Sequence, residues 1–238
     1  MKLLLTIAIL LSCAPLRAHD FWIEPSTYRP AAGTTVTLAL RVGQGFIGDA
    51  VPRSTELIDA FVVRDAAGTR AVAGFEGRDP AGIVRANGAA VVGYRSKGEP
   101  LELPRAKFEQ FLREEGLQHL RTGVLPEVHR ERFYRYAKTL LGDDAALAQT
   151  PLGFRLELVP LRDDWFSVLF ESKPLPNALV TAIDRDDPNV RVAARSDGRG
   201  LVSLPLRRGR VWLIKSTYLV RAEGDKWESL WASLTLSR

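Results

Sequence analysis

Thr35-Val36-Thr37-Leu38-Ala39-Leu40-Arg41-Val42 alternates residue by residue, with Val36, Leu38, Leu40 and Val42 on one side and Thr37, Ala39 and Arg41 on the other. A side-chain period of two puts the apolar set on one face of an extended chain, so the stretch reads as a half-buried strand. The theme recurs downstream. Residues 57–63, 71–75 and 89–94 read as further short strands, and Ala67-Gly68 and Asn87-Gly88 are turn signals between them. Strands at this spacing point to a sandwich, and residues 19–103 are expected to form a first β module.

The pattern changes at Pro104. Pro104 suits a first helical position and Gly116 a stop, and Phe108, Phe111 and Leu112 share one face at helical spacing. A second helix is expected over residues 126–141, ended by Gly142. Its apolar stripe would be Phe133, Tyr136, Ala137, Leu140 and Leu141, with Glu131, Arg135 and Lys138 turned away. Residues 104–151 therefore read as a helical insert and linker. From residue 152 the chain returns to strands: 154–159, 168–171, 178–183, 190–194, 201–204, 211–220 and 227–236. Ser196-Asp197-Gly198-Arg199-Gly200 turns the chain in their midst. In the last strand Leu230, Ala232, Leu234 and Leu236 fall on one face, and Trp231, Ser233 and Thr235 on the other.

The N-terminus carries an address. Met1-Lys2, the apolar run of residues 3–11 and the small-residue region ending at Ala18 have the layout of a secretory signal peptide, so residues 1–18 are expected to be removed. A run of nine residues is about half of what a permanent span needs, and no later stretch approaches that length. Leu10-Leu11-Ser12-Cys13 offers a second cleavage site that would leave Cys13 as a lipidated first residue. Cys13 is the sole cysteine, so cleavage after Ala18 leaves a chain without disulfide, zinc finger or cysteine nucleophile. The formal charge of +5 falls to +3 once Lys2 and Arg17 leave, which gives no indication of a nucleic-acid partner.

His19-Asp20-Phe21-Trp22-Ile23-Glu24-Pro25, followed by Arg41-Val42-Gly43-Gln44-Gly45-Phe46, resembles the opening of a bacterial periplasmic family. Its defining domain is one of unknown function, and its members are often described as nickel-uptake or NikM-like proteins. Glu131-Arg132-Phe133, Ala137-Lys138, Pro151-Leu152-Gly153, Glu157-Leu158-Val159-Pro160, Trp227-Glu228-Ser229 and Trp231-Ala232 extend the likeness over nearly the whole chain. Separately, Lys173-Pro174-Leu175-Pro176-Asn177-Ala178-Leu179-Val180, Ser196-Asp197-Gly198, Leu204-Pro205-Leu206 and Gly209 resemble transthyretin-like modules of the carboxypeptidase-regulatory type. The two resemblances imply immunoglobulin-like or transthyretin-like sandwiches, with residues 152–238 as the second. Where relatives often carry a histidine near the end of strand 211–220, this chain has Tyr218, and the stretch 163–168 is short.

His19 is the sharpest chemical candidate. Freed by cleavage, its α-amine and its own imidazole can close one chelate ring on a transition metal, a donor pair that suits copper or nickel. Asp20 or a second imidazole would have to complete the set. The competing reading is that residues 19–22 simply begin a strand with Phe21 and Ile23 buried. His129 and His119, the other histidines, suit a packing residue and an exposed turn. Gly43-Gln44-Gly45-Phe46-Ile47-Gly48 matches a dinucleotide fingerprint in form only, because Asp49-Ala50-Val51-Pro52 follows instead of a helix. Asp184-Arg185-Asp186-Asp187-Pro188 lacks the ligand series of a calcium loop and reads as a hairpin turn. Arginines 191, 195, 199, 207, 208 and 210 gather along turns, where they form a solvated face or meet an anionic partner or lipid headgroup. Trp22, Trp165, Trp212, Trp227 and Trp231 suit sandwich core better than a carbohydrate platform.

No nucleophile elbow and no His-Glu-x-x-His motif is present. The expected role is a non-enzymatic periplasmic accessory of nickel, cobalt or copper uptake, holding metal at His19 and working with a membrane transporter or envelope protein. A metal-free interaction scaffold is the alternative, and a copper-dependent oxidase built on His19 a third reading.

Overall fold

The structure, a computed structural model, describes residues 20–120, 123–162, 164–222 and 226–238. The expected signal peptide, Cys13 and His19 lie outside them. The chain is mainly β. Its strands are β1 (Asp20–Pro25), β2 (Thr34–Gln44), β3 (Ile47–Val51), β4 (Ile58–Asp65), β5 (Gly68–Ala71), β6 (Gly82–Ala86), β7 (Ala90–Ser96) and β8 (Glu99–Pro104). After helix α1 (Arg105–Glu114) and a 3-10 turn (Gln118–Leu120) comes β9 (Val128–Leu141), followed by the short helix α2 (Ala145–Ala148). Then follow β10 (Leu156–Pro160), β11 (Trp165–Phe170), β12 (Lys173–Pro174), β13 (Leu179–Asp184), β14 (Arg191–Arg195), β15 (Leu201–Ser203), β16 (Val211–Arg221) and β17 (Trp227–Ser237).

One nine-stranded sheet runs β14-β13-β16-β17-β9-β7-β4-β5, with β8 also on β9. It joins strands from both ends of the chain. At the junction β17 and β9 run parallel, while its other neighbours pair antiparallel. Two four-stranded sheets cover it. β10, β11, β12 and β15 close a core with Leu156, Phe166, Val202, Val180, Trp212, Ile214 and Leu234. β1, β2, β3 and β6 close another with Ile23, Val36, Leu38, Leu40, Val63, Val92 and Leu141. The alternation in β2 and β17 holds as read: Val36, Leu38 and Leu40 lie in one core, and Leu230, Ala232, Leu234 and Leu236 in the other.

The second expected helix is instead β9, an inner strand. The reason is burial on both faces. Tyr136 packs into the core under β10 and β11, whereas Ala137 and Leu141 pack into the core under β1 and β2. A strand covered on both sides loses its polar alternation and reads as a continuous apolar run, which imitates a helical stripe. Lys138, assigned to a solvent face by the helical reading, is 1 % exposed. Gly142 ends this strand, not a helix, with φ at +70°. The first helix stands, with Pro104 one position earlier than expected, as its cap, and Phe108, Phe111 and Leu112 buried. Strands β3, β6 and β8 were not expected, and residues 72–75 continue no strand beyond one bridge from Ala73 to Ile83.

Candidate functional site

Helix α1 lies on the same face of the large sheet as β1, and the polar chemistry gathers beneath it. β16 alternates, so Lys215, Thr217 and Leu219 point towards α1, while Ile214 and Tyr218 join the opposite core. Lys215 Nζ lies 2.7 Å from an Asp20 carboxylate oxygen and 3.0 Å from Glu115 Oε1, and Thr217 Oγ1 donates to Glu115 Oε2 at 2.8 Å. Glu115 follows the last turn of α1, where a negative charge opposes the helix dipole, so Lys215 supplies the compensation. Burial works against the Lys215 ammonium. The two carboxylates outweigh it and hold its pKa above the ordinary lysine value.

Trp231 links this cluster to a second. It lines the small crevice beside Asp20 and Lys215, packs 5.3 Å from Phe111, and donates Nε1 to Ser229 Oγ at 2.9 Å. Ser229 in turn donates to Glu131 Oε1, and Glu131 Oε2 shares a 2.8 Å hydrogen bond with His129 Nε2. The His129 ring stacks on Phe108 with centroids 3.5 Å apart and planes 7° from parallel. It also borders a cavity of about 130 Å³ walled by Phe108, Leu112, Leu125, Leu219 and Trp227. The carboxylate stands between the hydroxyl and the imidazole, so Ser229 gives its hydrogen bond to Glu131 and not to a histidine base.

A third cluster holds the large sheet to β10. Lys138 and Glu157 are each 1 % exposed and pair at 2.7 Å. The same carboxylate accepts the backbone N–H groups of Leu152, Gly153 and Phe154 at 2.7, 2.9 and 3.0 Å. Burial pushes the Lys138 pKa down, against the pull of Glu157.

The remaining candidates disperse. His119 is exposed in the 3-10 turn, and His129 is a packed, hydrogen-bonded residue. Gly45 and Phe46, both with positive φ, form the two-residue turn of the β2 to β3 hairpin, and Phe46 packs edge-on against Trp22. Residues 185–190 turn β13 into β14. Tyr218 packs 5.0 Å from Phe170. Trp22 and Trp212 are core, Trp227 and Trp231 are partly buried, and Trp165 is exposed. Among the described residues no group of three or more His, Cys, Asp or Glu is placed to hold a metal ion. No helix among them is long and apolar enough to cross a membrane.

A family described as a domain of unknown function, DUF4198, matches residues 16–219. The chain belongs to this family. No curated protein and no solved structure matches it. In the fold of this chain, motif residues that carried the family resemblance meet in pairs. Glu131 meets Ser229, Lys138 meets Glu157, Glu24 meets Arg41 at 2.7 Å, and Trp22 meets Phe46. Sequence reasoning missed Lys215, Glu115 and Glu157. One signal was available, since a lone charge inside an apolar strand, such as Glu157 before Leu158-Val159, announces a buried partner.

Proposed function

We propose that this DUF4198 protein is a non-enzymatic, exported envelope component that captures a divalent transition metal at its N-terminus for uptake through a membrane transporter or envelope partner. The reading takes cleavage after Ala18, a periplasmic location, and nickel, cobalt or copper as cargo; the strands from residue 152 onward would form its transthyretin-like module. One observation carries it: Asp20, the residue after His19, is 5 % exposed and bound to Lys215. Successive Cα atoms are about 3.8 Å apart, so a chain freed at His19 would carry its amine and imidazole one residue from an anchored strand end. Fixing a chelating group in advance lowers the entropy cost of binding.

Asp20 is engaged by Lys215, and Glu115 by Lys215 and Thr217. The donor set is therefore the two nitrogens of His19, completed by water or by a partner. The same saturation of Asp20 favours the second reading, an interaction scaffold without metal. Calorimetric titration of the exported protein with nickel and copper separates them. Metal capture requires micromolar or tighter binding that is lost when one glycine precedes His19. It also requires affinity to fall in mild acid, because the free α-amine titrates at about 7.7 to 8.0. Absence of binding to a verified His19 terminus overturns the proposal and leaves the scaffold.

A further inference from the structure

The arginines gathered along the C-terminal turns are not one patch, and the fold sorts them. Arg195 donates to the Asn177 and Gly116 carbonyls, Arg191 to the Pro188 carbonyl, and Arg210 pairs with Asp186 at 3.2 Å. Those side chains are committed. Arg207 and Arg208 are exposed and form no ion pair among the described residues. Leu204 and Leu206 are sunk in the core, so the loop turns Pro205 and Arg207 outward. The loop is also pinned. The Arg207 carbonyl accepts Trp212 Nε1 at 3.1 Å, and Gly209 N–H donates to the Arg238 carbonyl at 2.6 Å.

The turn from β10 to β11 lies beside it. Trp165 is the register partner of Ser203, and Leu204 N–H donates to the Asp164 carbonyl at 2.8 Å. Trp165 is 45 % exposed, and Arg162, three residues before it, is exposed without an ion pair among the described residues. Of the described acids here, Asp164 is met by Arg238 at 3.3 Å, and in sequence residues 162–165 and 204–208 carry three arginines against two aspartates. An outward indole on one loop therefore adjoins a second, pinned loop that carries two exposed arginines.

We infer that this end, Arg162, Trp165, Arg207 and Arg208, is a docking surface for an anionic phospholipid bilayer. Tryptophan settles at the boundary between headgroups and acyl chains, and guanidinium groups around it neutralise lipid phosphates. A purely polyanionic partner would use the arginines and gain nothing from an apolar ring held among them. The surface is independent of metal capture at His19.

The test is cosedimentation of the purified protein, its N-terminus fixed by mass spectrometry, with vesicles of phosphatidylcholine alone or with a third phosphatidylglycerol. Binding is expected only to the anionic vesicles, and should weaken as salt rises. Arg207→Gln with Arg208→Gln should weaken it roughly 30-fold, from about fivefold per arginine near an anionic surface. Trp165→Ser should weaken it further. Arg199→Gln, at the far end of β15, should change it little. No binding to anionic vesicles, equal binding to neutral ones, an equal loss from Arg199→Gln, or no loss from Trp165→Ser would each overturn the inference.

Discussion

Replacing Lys138 and Glu157 singly and together tests whether the buried pair joining β9 to β10 is a structural latch. Lys138→Met removes the ammonium but leaves Glu157 its three backbone N–H donors. Breaking a buried pair costs about 3 to 5 kcal/mol, and those donors place this variant near the lower bound. Glu157→Leu leaves a buried ammonium without an acceptor and strips all three donors, so it belongs at the upper bound or beyond. In a chain of this size each kcal/mol moves the melting midpoint by about 2 to 4 °C, which gives roughly 6 to 12 °C for Lys138→Met and more for Glu157→Leu. The double variant Lys138→Met/Glu157→Leu decides the argument. Many buried ion pairs can be exchanged for apolar side chains without loss. Here the exchange orphans the Phe154 N–H, which is buried, while the exposed Gly153 can turn to water. An unsatisfied buried donor costs about 1 to 3 kcal/mol, so the double variant should recover part of the Glu157→Leu loss and remain below the parent. Urea denaturation at neutral pH and calorimetry read all three. A double variant as stable as the parent, or Lys138→Met more damaging than Glu157→Leu, would refute the claim that the carboxylate's backbone contacts fix the strand.

Two more outcomes follow from other buried groups. Burial pushes Tyr28, Tyr94 and Tyr136 each up to about 12, and Asp20 and Glu115 hold Lys215 above its usual range. The folded chain thus keeps these protons more tightly than the unfolded chain. Their contribution is complete below about pH 10 and is lost as pH rises towards 12. Absorbance at 295 nm and circular dichroism followed together should show the phenolates of these three appearing only as structure is lost; an amplitude near pH 10 equal to all five tyrosines of the chain with the fold intact would contradict it. His129→Ala removes the stack on Phe108 and leaves Glu131 Oε2 without its partner, a change expected to cost about 2 to 4 kcal/mol. In urea denaturation a loss under 1 kcal/mol would show that the ring is not a packing element.

Alternation was a sound guide wherever one face of an element meets a core and the other meets something polar, as in β2, β17 and α1. It failed at β9, whose Tyr136-Ala137-Lys138-Thr139 run is buried on both faces. It also failed at β3, which is almost wholly exposed, and at β8, which carries Pro100 and Pro104. β3 has no hydrophobic period to detect, and in β8 the short Leu101/Leu103 alternation is bracketed by the prolines, which argue against a strand. His19 was legible as chemistry because chelation by one residue is a local property. The Lys215 cluster was not, since Glu115 and Thr217 are 102 residues apart in the chain.

The sequence by itself determined a mainly β chain, one amphipathic helix beginning beside Pro104, and the scarcity of cysteine and histidine. Each depends on bonds, torsions or faces within about ten residues. Tertiary structure alone decided that both ends of the chain share one sheet through the parallel pairing of β17 and β9, that Lys138 of that sheet meets Glu157 of the sheet covering it, and that Glu131 meets Ser229 on the neighbouring strand. A buried charge specifies that it needs a partner, but only the folding of distant strands onto one another specifies which partner it finds.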